Sequence, residues 1–120
     1  MAHAPQRRKR QTLQGYERQH EHLKEQLRAV GYVLQGSVLE RWMECGKPSC
    51  RCHDDPASRH GPYWQWSWKK RGKTLSVYLT PEQASLCRKW IENHRRMERI
   101  LKQMRELSLR IARRHEIPLK

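Results

Sequence analysis

Three cysteines and a histidine lie within sixteen residues of this chain, and they constrain its fold more than any other feature. They are Cys45, Cys50, Cys52 and His60, and Gly and Pro residues interrupt the segment that carries them. Such residues let a short chain fold back on itself. Thiolate and imidazole are the ligands that zinc prefers, and Cys₃His is a closed structural set. The segment therefore predicts a structural Zn²⁺ that ties the end of one strand to the start of another.

The spacing leaves the fourth ligand open. His60 is preferred because it stands just before Gly-Pro, at the entry to the next strand. His53 directly follows Cys52, so its side chain starts out in another direction. Cys87 falls on an apolar helical stripe, where a thiol is most often a small buried apolar group. Both remain alternatives. Reduced free thiols and oxidised cysteines are the alternatives to a metal site, and a catalytic zinc is the less supported alternative to a structural one, since it needs an open coordination position and a nearby general base.

Apolar residues at steps of three and four predict two helices, at residues 12–30 and 80–116. Thr80-Pro81-Glu82-Gln83 has the pattern of a capping box with proline at the first helical position. The second helix would be roughly 50 Å long and the first about half that. We expect antiparallel, coiled-coil-like contact between them. The distal half of the long helix would then keep an unpartnered stripe for a homodimer or another protein, with Met97, Leu101, Met104 and Ile111 at the interface.

Alternating apolar residues predict three strands. One strand spans residues 37–43, and residues 62–80 form a β-hairpin whose loop is Lys69-Lys70-Arg71-Gly72-Lys73. Since an isolated hairpin is marginal in water, the three strands should form one antiparallel sheet. The row Trp64, Trp66 and Trp68 is expected in the core. Tyr63 and Tyr78 would then be exposed on the opposite face, beside the basic loop.

These patterns together predict an α+β fold. It consists of a three-stranded antiparallel sheet with a zinc-binding loop, flanked by an N-terminal helix and a long C-terminal helix. Residues 1–11 are predicted to be a disordered basic arm, residues 12–116 a single zinc-stapled domain, and residues 117–120 a tail.

The charge of the chain points to a polyanionic partner. Lys and Arg number 26 against 12 Asp and Glu, which gives a net charge of +14. The excess is spread along the chain, with +4 in residues 1–30, +4 in residues 31–80 and +6 in residues 81–120. A chain with this balance is expected to bind nucleic acid, either DNA or RNA.

Three groups of cations are predicted to contact phosphates without reading bases. They are Arg7, Arg8, Lys9 and Arg10 in the arm; Lys69, Lys70, Arg71 and Lys73 at the hairpin tip; and Arg88, Lys89, Arg95, Arg96, Arg99, Lys102, Arg110 and Arg113 on the outward face of the long helix.

The location is predicted to be cytoplasmic. No apolar run is long enough for a transmembrane helix, and the basic start is not followed by the apolar stretch of a secretory signal. In a reducing compartment, the four cysteines are interpreted as metal ligands or free thiols in preference to disulfides. We find no nucleophile–base pair and no carboxylate cluster, so the sequence predicts a protein that is not an enzyme. The alternative to nucleic-acid binding is a protein–protein adaptor or dimerisation module acting through the long helix.

One block of the chain resembles a known family. The block runs from Gly36-Ser-Val-Leu-Glu-Arg through Cys45-Gly-Lys-Pro-Ser-Cys50-Arg-Cys52 to His60-Gly-Pro-Tyr-Trp, followed by the basic hairpin and the proline-opened helix. It is similar to small bacterial proteins of unassigned function that are often encoded among mobile-element genes. The resemblance covers roughly residues 31–105. It implies a shared cluster of Cys45, Cys50, Cys52 and His60, an association with mobile elements, and no catalytic role.

Overall fold

The computed structural model describes residues 12–119. The helices are α1 (Leu13–Arg28) and α2 (Pro81–Arg114), and the strands are β1 (Ser37–Met43), β2 (His60–Lys70) and β3 (Lys73–Leu79). Two single-turn 3₁₀ helices, Arg51–His53 and Pro56–Ser58, lie between β1 and β2. Contacts group these residues into two compact units, residues 31–95 and residues 12–30 with 96–119. The predicted basic arm, including Arg7, Arg8, Lys9 and Arg10, lies outside the described residues.

The strands form one antiparallel sheet in the order β1-β2-β3. Val38 pairs with Trp66, and Trp66 pairs with Val77, so these three residues share one face. Side chains alternate between faces along a strand, so Trp64 and Trp68 lie on this face as well. The predicted N-terminal helix, three-stranded antiparallel sheet and long C-terminal helix are confirmed.

The tryptophan row forms part of the core of the unit made by residues 31–95. Trp64, Trp66 and Trp68 are half-buried, and the rings of Trp66 and Trp68 stack with centroids 3.9 Å apart. On α2, Ala84, Cys87 and Ile91 are buried. A further link joins α2 to the segment before β1, since the backbone N–H of Leu34 donates to the carbonyl of Trp90 at 3.1 Å.

The start of α2 has the capping box that the sequence predicts. The backbone N–H of Gln83 donates to Thr80 Oγ1 at 3.2 Å, and the backbone N–H of Thr80 donates to Gln83 Oε1 at 2.9 Å. Two N–H groups at the start of the helix thus gain partners from side chains three residues apart.

The second unit pairs α1 with the distal part of α2. Ile100 and Leu107 are each only 4% exposed, and a groove between the helices is lined by Leu23 and His22 on one side and Leu107 on the other. We expected the distal stripe of α2 to lack a partner in its own chain, and this was wrong. From the two helix lengths, α1 was expected to pack against the proximal half of α2. The predicted interface residues are half-buried here: Met97, Leu101, Met104 and Ile111. Coiled-coil geometry and dimerisation stay predictions.

Neither helix of the described chain, residues 12–119, has an apolar stretch long enough to cross a bilayer.

Candidate metal centre

The segment between β1 and β2 folds into consecutive tight turns. Cys45 follows the end of β1 by two residues, and the backbone N–H of Cys50 closes a turn by donating to the carbonyl of Lys47 at 3.1 Å. Cys52 lies in the first 3₁₀ helix. His60 is the first residue of β2 and pairs with Met43 across the sheet. The chain therefore leaves β1 and returns to β2 at the same end of the sheet.

The four predicted ligands come together in this loop. Cys45 Sγ lies 3.6 Å from Cys52 Sγ, and Cys50 Sγ lies 3.3 Å from His60 Nε2. The donor atoms of all four residues lie within 4.8 Å of one another. Four ligands at about 2.3 Å from a tetrahedral zinc ion would be roughly 3.8 Å apart. The cluster therefore fits a metal ion held by three thiolates and one imidazole.

Hydrogen bonds and burial shift the pKa values of Cys50 and Cys52 in opposite directions. The backbone N–H of Cys52, followed by His60, lowers the pKa of Cys50 to about 6. Burial raises the pKa of Cys52 to about 11, and its side chain is only 1% exposed. The backbone N–H of Cys45 donates to Cys52 Sγ at 3.2 Å, which would support a thiolate there. A bound cation would favour the thiolate form of all three residues.

Neither of the two alternative ligands is among the four clustered residues. His53 has both ring nitrogens engaged, with Nδ1 3.2 Å from Glu44 Oε2 and Nε2 2.9 Å from the carbonyl oxygen of Lys47. Cys87 is buried on α2, and that burial raises the pKa of its thiol. His60 is therefore the residue that joins the three cysteines.

We did not predict the contact between Glu44 and His53, which connects two parts of the loop. These residues directly flank the first and last of the three cysteines, Glu44 before Cys45 and His53 after Cys52. A carboxylate and an imidazole at these flanking positions were a usable signal for a hydrogen bond across the loop. The distance between His53 Nδ1 and Glu44 Oε2 is 3.2 Å. The pair joins the entry of the loop to its first 3₁₀ turn and so helps to hold the cysteines in place.

Gly61, next to His60, occupies a position that excludes a side chain. Its φ is +150°, and a Cβ would lie 2.7 Å from the carbonyl oxygen of Arg41 and 3.1 Å from the Trp42 ring. The glycine thus allows β1 and β2 to approach closely beside the cluster.

We expect Gly61→Ala to lower the free energy of unfolding by about 1–3 kcal/mol, because the backbone must shift to admit the methyl group. Chemical denaturation would measure this change. Gly46→Ala, in the adjoining loop, is the matched control, since a Cβ there meets nothing within 4 Å. Equal stability of the two variants would contradict the close-approach argument.

The cations that are predicted to contact phosphates differ in their exposure and in their neighbouring residues. At the hairpin tip, Lys69, Lys70, Arg71 and Lys73 are exposed. The described part of the basic helix face is less uniform than expected. The guanidinium of Arg88 lies 4.5 Å from the centroid of the Trp64 ring, and Arg95 Nη1 lies 3.7 Å from Glu92 Oε2.

The other cations on the basic face of α2 differ in their position relative to the groove between the helices. Arg110 lines the groove between α1 and α2. The remaining members of the predicted set are exposed on α2: Lys89, Arg96, Arg99, Lys102 and Arg113. The hairpin tip is therefore the more compact of the two described basic surfaces.

Fold and site together define a small α+β protein with a Cys₃His candidate metal centre in the loop between its first two strands. The family described as "Domain of unknown function (DUF6788)" matches residues 13–89. The match covers more than half of the chain, so the chain belongs to this family. It includes α1, the whole sheet and all four residues of the cluster. No curated protein and no solved structure matches the chain.

Proposed function

We propose that this protein is a small, zinc-stabilised, nucleic-acid-binding accessory protein that contacts phosphates without strong sequence readout. The observation that carries the proposal is the exposed basic hairpin tip on a chain of net charge +14. Four cations within five residues form a local positive surface, and such surfaces attract polyanions.

Zinc is the metal that the donor set favours. Thiolates are soft ligands, imidazole suits zinc as well, and the donor spacing is compatible with a tetrahedron. Cys45, Cys50, Cys52 and His60 would hold the ion, and its role would be structural because four protein ligands close the coordination sphere. Glu44, the nearest carboxylate in sequence, is engaged with His53. We therefore propose no catalytic role.

Phosphate contacts explain why sequence readout should be weak. Lys and Arg side chains at an exposed turn reach phosphate oxygens, which are the same at every nucleotide. The resemblance to proteins encoded among mobile-element genes favours a role in a transposition or recombination complex, or in another nucleoprotein assembly.

Removal of charge at the tip tests the assigned surface. We expect Lys70→Gln with Lys73→Gln to weaken binding to a duplex and to reduce the slope of log affinity against log salt by about one unit for each lost contact. Fluorescence anisotropy at several salt concentrations would measure this slope.

The matched control is Lys24→Gln with Arg28→Gln, which removes the same charge from exposed positions on α1. If both double variants lowered the slope equally, binding would depend on overall charge and the hairpin tip would have no special role.

A further inference from the structure

The sheet has a second face, opposite the tryptophan row, which we call the tyrosine face. Strand register places Leu39 beside Gln65 and Gln65 beside Tyr78 on this face, and Arg41 beside Tyr63. The regular strand register assigns ten residues to it: Ser37, Leu39, Arg41, Tyr63, Gln65, Ser67, Lys69, Thr74, Ser76 and Tyr78. Two of the ten are cationic and none is acidic, so the face is complementary to a polyanion.

The aromatic residues of the tyrosine face are open to solvent. Tyr63 is 42% exposed and Tyr78 is 59% exposed. Their rings meet edge to face, with centroids 6.2 Å apart and an interplanar angle of 64°. Leu39, on the neighbouring strand, is 50% exposed. Exposed rings on a rigid sheet are suited to stacking against flat ligands.

The polar residues around the rings are held in place. Arg41 Nη1 donates to Gln65 Oε1 at 3.0 Å, and the hydroxyls of Ser67 and Ser76 lie 2.8 Å apart. Lys69 lies at the end of the face that leads into the basic tip. The face therefore combines aromatic rings, hydrogen-bonding groups and positive charge.

We propose that the tyrosine face binds single-stranded nucleic acid, with bases stacked on Tyr63 and Tyr78 and phosphates near Arg41 and Lys69. This inference rests on the proposed function and assigns it a substrate class. A duplex hides the faces of its bases within the helix, whereas a single strand can present them to aromatic side chains. Three strands at a spacing of about 4.8 Å give a platform roughly 10 Å wide, which suits one strand.

The test compares single strands and duplexes on aromatic variants. We expect Tyr63→Ala and Tyr78→Ala each to weaken binding to a labelled pyrimidine-rich 15-mer by roughly 5- to 150-fold, the range for loss of one stacked base. Duplex binding should change by less than about twofold. Titrations with DNA and RNA versions of the 15-mer would show which of the two nucleic acids the protein binds more tightly. Tyr78→Phe should retain wild-type affinity, because the ring stays.

Tyr32→Ala is the matched control, because Tyr32 is 77% exposed and lies outside the three strands. Circular dichroism melting would verify that each variant folds. If Tyr63→Ala and Tyr78→Ala bound single strands like wild type while the wild type bound nucleic acid, the stacking inference would fail and the proposed function would stand. An equal loss on single strands and duplexes would also overturn it. If the wild-type protein bound neither single strands nor duplexes, the stacking inference and the proposed function would both fail.

Discussion

Chelation of the metal ion proposed to occupy the Cys₃His cluster should lower the free energy of unfolding of this protein by about 5 kcal/mol or more, equivalent to a fall in Tm of about 15 °C or more. The reason is that the cluster joins the end of β1 to the start of β2 across sixteen residues in which Cys52 is the one buried side chain. Thermal unfolding with and without a strong chelator would measure the change. Elemental analysis of the purified protein should give one zinc per chain.

The fourth cysteine provides a control for this experiment. Cys52→Ala removes a proposed ligand, whereas Cys87→Ala removes a buried thiol that lies outside the cluster. We expect Cys52→Ala to lose the metal and Cys87→Ala to retain it, although both lose some packing. Metal content separates these two effects because packing alone does not change it. A Cys52→Ala protein that still bound one equivalent of zinc, or a chelated wild type with unchanged Tm, would contradict a structural metal.

Affinity for nucleic acid should fall about 10³-fold or more when salt rises from about 50 to about 200 mM, if six or more phosphates are contacted. The physical reason is that bound Lys and Arg side chains displace condensed counterions, and added salt opposes their release. The effect should be similar for unrelated sequences of equal length, because phosphate contacts carry no sequence information. Anisotropy titrations at four or five salt concentrations would give the slope.

Two results would argue against this account of binding. Affinity that stayed constant across the salt range would mean that charge is not the main contribution. A single sequence bound far more tightly than others of the same length would mean that bases are read directly. Co-purified nucleic acid, detected by the absorbance ratio before and after nuclease treatment, would support the proposal independently of any chosen probe.

Most of the local structure could be predicted from the sequence. The alternation of Trp64, Trp66 and Trp68 indicated a strand, and the Thr80–Gln83 pattern indicated a helix start that the hydrogen bonds confirm. Such patterns depend on residues a few positions apart, so they are set by backbone periodicity and local hydrogen bonding. The cysteine spacing similarly predicted the candidate metal loop, although it left His60, His53 and Cys87 as possible fourth ligands.

The remaining features depend on residues that are distant in sequence. Periodicity showed that α1 and α2 each have an apolar stripe, but it could not show which half of α2 meets α1. Helix length favoured the proximal half, whereas α1 packs with the distal half. Heptad positions placed Arg88 on the outward face of the long helix. In the folded chain its guanidinium lies against the ring of Trp64, a residue that is distant in sequence.

The sequence by itself determined the helices and strands, the three cysteines of the candidate metal centre and the positive charge of this protein, because these follow from residue type and short-range spacing. Only the tertiary structure decided among His60, His53 and Cys87 as the fourth member of the cluster. It also placed His53 beside Glu44 and brought the rings of Tyr63 and Tyr78 into edge-to-face contact. These outcomes depend on strand register and loop closure, which bring together residues that the chain itself keeps apart.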